Sequence, residues 1–305
     1  MNTSPTITRL TLAALALISA AACDLSTISK QATARTVAVS TLLTTPAVEV
    51  KGAAIAGNGL DASIPDFDAG MFFDGGFFTT DAGVMIPEQN LAFVFFGRRP
   101  TDAPDSIPEG AAGANASLKE VGGPAFPLED QGGGTYALST DAGFVYKAGA
   151  TYQFEFVHMS ATYVAEVERV PNKENIAEFH PSAGYVELAA GQSFTFLRPD
   201  PPQGQNRNFG FVNVFPINAK GGTQGQPTYT NIPTEPIGFI KLLLAPTEWT
   251  TTSVTIPGTA FPNPDSNYIV VLQSAKLGGP KSENLFSGSA ILAGTADVAI
   301  VKTRP

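Results

Sequence analysis

The sequence predicts an all-β protein built from two β-sandwich modules, and three observations carry that expectation. The 305 residues include 30 Gly, 24 Pro and 21 Phe, a mixture that favours short strands and tight turns over long helices. Apolar residues recur with a period of two in the readable segments, the spacing of a strand with one buried face. Charged residues make up only 15% of the chain, too few to hold it open by self-repulsion, so most of it is expected to fold. At about 150 residues per domain the length corresponds to roughly two domains.

Composition also sets several function classes aside. A net charge of -9 speaks against nucleic acid as a partner, because phosphate binding needs clustered Lys and Arg. Two His and one Cys leave little material for a transition-metal site, a disulfide framework or a His-centred catalytic group, and no cofactor is expected.

Residues 1–22 have a polar start with Arg9, a mostly apolar run from Leu10 to Ala22, and small residues Ala20, Ala21 and Ala22 before Cys23. This is the pattern of a signal peptide, and the apolar run falls short of the about 20 residues that a bilayer-spanning helix needs. The segment Ile18-Ser19-Ala20-Ala21-Ala22-Cys23 resembles the lipobox of bacterial lipoproteins, with Ala20 where many members have Leu. The resemblance implies cleavage before Cys23, whose thiol then carries a diacylglycerol. Small side chains fit the peptidase cleft, and only a thiol supplies the sulfur of the thioether. In enteric bacteria an Asp after the lipidated Cys, here Asp24, is similar to an inner-membrane retention signal. The expected location is therefore the cell envelope, with the outer membrane, on its periplasmic or surface face, taken ahead of the inner one.

Residues 23–56 are read as the lipidated Cys and a flexible tether, because Asp24 to Thr45 is rich in Ser, Thr and Ala, with room for a short helix. Residues 57–171 are read as the first module. Its N-terminal stretch interleaves Asp61, Asp66, Asp68, Asp74 and Asp81 with Gly and Phe, and Phe72 to Phe78 has a local hairpin pattern around Gly75 and Gly76. Strands are expected at Leu91–Phe96, Ala116–Val121 and Gly134–Ser139. Two more alternate clearly, Thr151–His158 and Thr162–Val170, joined by Met159-Ser160-Ala161 as an antiparallel hairpin.

Residues 171–183, poor in apolar side chains, are read as the junction, and residues 183–305 as the second module. Its expected strands are Tyr185–Leu188, Ser193–Arg198, Phe209–Phe215, Ile237–Leu244, Ser253–Ile256, Tyr268–Gln273 and Val298–Lys302. An internal echo links the modules: Ala148 to Phe154 and Ala190 to Phe196 both read A-G-x-[ST]-[FY]-x-F, with Gly making a turn and the aromatics entering a core. This echo resembles strand starts in immunoglobulin-like and fibronectin-like modules. Pro108-Glu109-Gly110-Ala111 with Gly132 to Tyr136 is similar to prealbumin-like sandwiches of bacterial surface proteins. Both resemblances imply fold and carry no functional residues.

The sequence holds no G-x-S-x-G, H-E-x-x-H, P-loop or C-x-x-C pattern. Gly278 to Ser282 looks like a phosphate loop only superficially and is read as a solvated turn. His158 and His180 are read as structural or exposed, Trp249 as a core or strand-edge aromatic rather than a sugar platform, and the four Phe around Gly75 as core. The Asp-rich stretch lacks the Glu that closes a calcium loop, so its Asp residues are assigned to turns and caps and no metal ligand is named. Asn115-Ala116-Ser117 is taken as an incidental match to a glycosylation acceptor. The resulting expectation is a non-catalytic, lipid-anchored envelope protein that binds, adheres or assembles. Its partners are the membrane, through acyl groups on Cys23, and an unidentified envelope protein or glycan. The alternative is a lipid-anchored hydrolase or carbohydrate-binding accessory subunit.

Overall fold

The computed structural model describes residues 25–51, 78–80, 83–86, 88–100, 108–139, 142–217, 226–232, 242 and 246–305. Helix α1 (Leu25–Thr33) carries Lys30 in its last turn, where a cation complements the helix dipole. It leads into β1 (Thr36–Thr45), where Ala38 and Leu42 are fully buried. The segment read as a tether is therefore ordered structure from Leu25 to Thr45, and only the short helix was anticipated. Low bulk misled the reading: small residues also suit a strand flanked closely on both sides.

After β1 come β2 (Val48–Lys51), β3 (Phe78–Thr80) and β4 (Gly83–Ile86), an antiparallel sheet in the order β2–β4–β3. Next are β5 (Gln89–Arg98), β6 (Glu109–Gly110), β7 (Asn115–Glu120), β8 (Ala125–Gly132) and β9 (Thr135–Leu138). They are followed by β10 (Tyr152–His158), β11 (Ala161–Val167), β12 (Val186–Ala189), β13 (Phe194–Leu197) and β14 (Phe209–Ile217). The series ends with β15 (Tyr229–Thr230), β16 (Ser253–Ile256), β17 (Asn267–Pro280) and β18 (Ala290–Arg304). The fold class is all-β, as the punctuation and alternation predict. Ile237–Leu244 lies outside the described residues except for Leu242.

The chain forms two compact units, and each draws on separated segments. Among the described residues, unit 1 takes those within 25–42, 91–170 and 276–293, and unit 2 those within 43–90, 171–275 and 294–305. In unit 1, neighbouring strands follow the order β18–β1–β5–β9–β8–β7–β10–β11–β17, and β17 also pairs with β18, so the circuit of pairings closes. Alternate residues point to one core: Val94 and Phe96, Ala116 and Leu118, Tyr152, Phe154 and Phe156, Ala165 and Val167. Closure leaves few unpaired edges to template association. Gly134 sits at φ +79°, where a Cβ would lie 2.4 Å from the Phe96 carbonyl oxygen, so this tight approach requires glycine.

In unit 2, β12 pairs in parallel with β18, and β14 lies antiparallel between β17 and β15. The separate pair β13–β16 supplies Phe194, Phe196 and Ile256 to the same core as Val212, Val214, Tyr268, Val270, Leu272 and Val301. Both halves of the echo behave as predicted. Gly149 and Gly191 have φ of +78° and +75°, and Tyr152, Phe154, Phe194 and Phe196 are buried.

Candidate functional site

Residues 1–22, Cys23 and all five Asp of the Asp-rich stretch lie outside the described residues, as do Phe72, Phe73 and Phe77. Phe78 begins β3. Among the described residues no group of three or more His, Cys, Asp or Glu is placed to hold a metal ion. The Gly278–Pro280 stretch is not a turn but the end of β17, and turning begins at Lys281, whose N–H, like that of Ser282, donates to Val164 O.

The two His lie in different units. The His158 ring meets Phe96 edge-on at 6.0 Å. His180 is 47% exposed, and its Nε2 lies 2.9 and 3.1 Å from the two carboxylate oxygens of Asp297. Among the described residues that ring hydrogen-bonds only to Asp297, so no hydroxyl or thiol is paired with it as a nucleophile. Trp249 is buried, and its Nε1 donates to Asn231 O at 2.8 Å, the core role expected of it.

The junction segment is held by two buried charges that the sequence reading did not single out. Arg198, the largest fully buried side chain among the described residues, donates through Nε and Nη2 to the two Glu174 oxygens at 2.8 and 2.7 Å. Nη1 also donates to Trp249 O at 3.0 Å and Nη2 to Asn208 O at 2.8 Å, while Ser274 Oγ donates to Glu174 at 2.9 Å. A Cβ on Gly210 would lie 2.6 Å from Arg198 Nη1, so glycine leaves the guanidinium its space. At the other end Asp297, 1% exposed, accepts from the Ile176 and Val298 N–H groups at 2.8 and 3.0 Å and pairs with Lys173 Nζ at 3.1 Å. Lys173 to His180 is thus a strap on unit 2, fixed by an inward cation and an inward anion. Strand parity is the signal for both: Arg198 shares a face with Phe194 and Phe196, and Asp297 with Ala299 and Val301.

In unit 1, burial and then the nearby Arg169 guanidinium hold the Lys276 ammonium below its usual range, opposed by Glu168. That group is tied up as well, since Nζ donates to Glu168 O at 2.6 Å. The same unit carries an open groove of about 370 Å³ lined by Lys30, Arg35, Arg98, Tyr163, Glu283 and Asn284 among others. Arg99 shapes it: its N–H donates to Arg35 O at 3.0 Å, its Nη2 to Ala34 O at 2.6 Å, and its guanidinium lies 3.8 Å over the Phe286 ring. These contacts set the exposed Arg98 beside the end of α1. Lys30 pairs with Glu283 at 2.6 Å, whereas among the described residues neither Arg35 nor Arg98 has a carboxylate within ion-pair distance.

Among solved structures the chain is similar to the fibronectin(III)-like modules of Clostridium thermocellum CbhA. The identity is 6% over 70% of this chain and 85% of that one, with a TM-score of 0.19. It is also similar to domains 4 and 5 of the S-layer protein SbsC, at 12% identity over 75% of this chain and 94% of that one, with a TM-score of 0.18. No family model and no curated protein matches the chain.

Proposed function

We propose that the protein is a non-catalytic cell-envelope lipoprotein, anchored through acyl groups on Cys23, whose two β units present surface for binding or assembly. The observation that carries the reading is the small-residue run from Ser19 to Ala22 ending at the only Cys of the chain. The fold is compatible with it in a specific way. Helix α1 starts at Leu25, two residues after Cys23, and is tied to unit 1 by Gln31, whose Nε2 donates to Pro280 O and Ser282 O at 3.3 and 3.2 Å. Two acyl chains or more, at about 0.8 kcal/mol per buried methylene, hold such a unit durably on a membrane.

The test is mass spectrometry of the mature N-terminus after expression of the full chain, beside the Cys23→Ala variant. The expected product begins at Cys23 with a thioether-linked diacylglycerol, and the variant stays unprocessed and unacylated. A mature terminus elsewhere, or an unmodified Cys23, overturns the anchor.

A further inference from the structure

We propose that the basic groove of unit 1 receives the phosphate of an anionic phospholipid headgroup in the membrane that holds Cys23. The inference rests on the lipid-anchored reading for its choice of occupant. Lys30, Arg35 and Arg98 converge there against one acidic lining residue, Glu283, with Glu109 opposite Arg98 in the strand register. That is a local cationic excess in a chain of net charge -9. Arg35 is half-buried and Arg98 exposed, and without ion-pair partners among the described residues their donors stand ready for an external anion. Arg guanidinium suits phosphate because its planar fork donates two parallel hydrogen bonds.

Chain geometry selects the source of that phosphate. Two peptide steps keep Cys23 within about 7 Å of Leu25. Lys30 stands about 7.5 Å further along the helix axis. The Lys30 end of the groove therefore lies within about 15 Å of the lipidated residue, a distance comparable to the polar layer of a bilayer, about 6 Å deep, plus a screening length of about 8 Å, and Arg35 follows five residues later in the chain. A soluble phosphate ester would need no such proximity, whereas a headgroup phosphate is presented there by the anchor itself. Occupation would hold unit 1 in one orientation on the membrane, which acyl chains alone do not do.

The experiment uses the mature chain from residue 23 with Cys23→Ala, so that no acyl group contributes. Partition is measured onto vesicles of phosphatidylcholine alone and of equimolar phosphatidylcholine and phosphatidylglycerol. Two basic groups at the surface correspond to about 30-fold tighter partition onto the anionic vesicles. Arg35→Glu with Arg98→Glu is expected to remove that preference, while Arg35→Lys with Arg98→Lys retains most of it. Arg169→Glu, in unit 1 but six residues along the chain from Tyr163, leaves it unchanged, with unchanged thermal melts certifying that each variant is folded. Equal partition onto both vesicles overturns the proposal, as does equal loss on Arg169→Glu, which would mark diffuse charge attraction. Displacement from vesicles by inorganic phosphate, with saturable phosphate binding in their absence, assigns the groove to a free anion and overturns it too. Because this chain is unacylated, loss of vesicle preference with an acylated Cys23 in cells strikes the groove alone. Retained preference with an unmodified Cys23 strikes the anchor alone.

Discussion

Arg198 and Asp297 bring opposite charges into unit 2, and each is accommodated because every strong contact it needs is supplied. Bidentate pairing with Glu174 and two carbonyl acceptors surround the guanidinium, while two backbone N–H groups, Lys173 and His180 surround the carboxylate. Removing one partner of a buried pair costs more than removing both, since it strands a charge. Arg198→Met is therefore expected to lower the unfolding free energy by about 3–5 kcal/mol, read by urea denaturation. Arg198→Met with Glu174→Leu recovers most of that loss if desolvation of the stranded carboxylate is its cause. Two tyrosines show the same economy at strand starts: the hydroxyls of Tyr152 and Tyr268 accept from the N–H groups of Lys147 and Asn263, each five residues upstream, at 2.8 and 3.1 Å. Tyr152→Phe and Tyr268→Phe are each expected to cost about 1–2 kcal/mol, because a shielded N–H loses its acceptor.

At the scale of elements, β1 and the β10–β11 hairpin separate what local pattern reveals from what packing decides. Both hairpin strands were legible because each alternates, and Tyr152, Phe154 and Phe156 all point inward. The turn is tighter than the three-residue loop expected: His158 pairs with Ala161, and Met159 and Ser160 occupy positive φ of 49° and 65°. Such a two-residue turn favours Asn-Gly, so Met159→Asn with Ser160→Gly is expected to raise stability by about 1 kcal/mol. A shift in the denaturation midpoint checks it. Strand β1 was not legible, because Ser, Thr and Ala flank its few large residues and burial is not confined to alternate positions, only Val39 being exposed. Leu42→Ala is expected to cost about 2–5 kcal/mol in unfolding free energy, whereas a tether residue would cost nothing measurable. Strand β8 escaped as well, since Leu128 is its only buried side chain and offers no alternation.

At the scale of the molecule, β17 and β18 each have residues in both units. Unit 1 takes the end of β17 and the start of β18, and both strands belong to its closed circuit of pairings. Truncation after Ala275 is therefore expected to abolish the cooperative unfolding transition of unit 1 as well as that of unit 2. Calorimetry of the chain ending there is the measurement, and a surviving native-like transition from the first 170 residues would refute the interleaving. A chain of two consecutive domains would instead keep its N-terminal module intact.

The sequence alone determined the strand content, most strand positions and the turn glycines of the echo, and it singled out Cys23 as the residue of the proposed anchor. Each of these depends on neighbours within a few residues: alternation, turn chemistry, a short apolar run. The tertiary structure alone decided which segments share a core, that Lys173 to His180 is strapped down by Arg198 and Asp297, and that Lys30, Arg35 and Arg98 meet beside the helix that follows Cys23. Those outcomes depend on pairings between residues far apart in the chain, such as Glu174 with Ser274 and Lys30 with Glu283. No local periodicity encodes them, because a strand's pattern specifies which face is buried and not which strand will lie beside it.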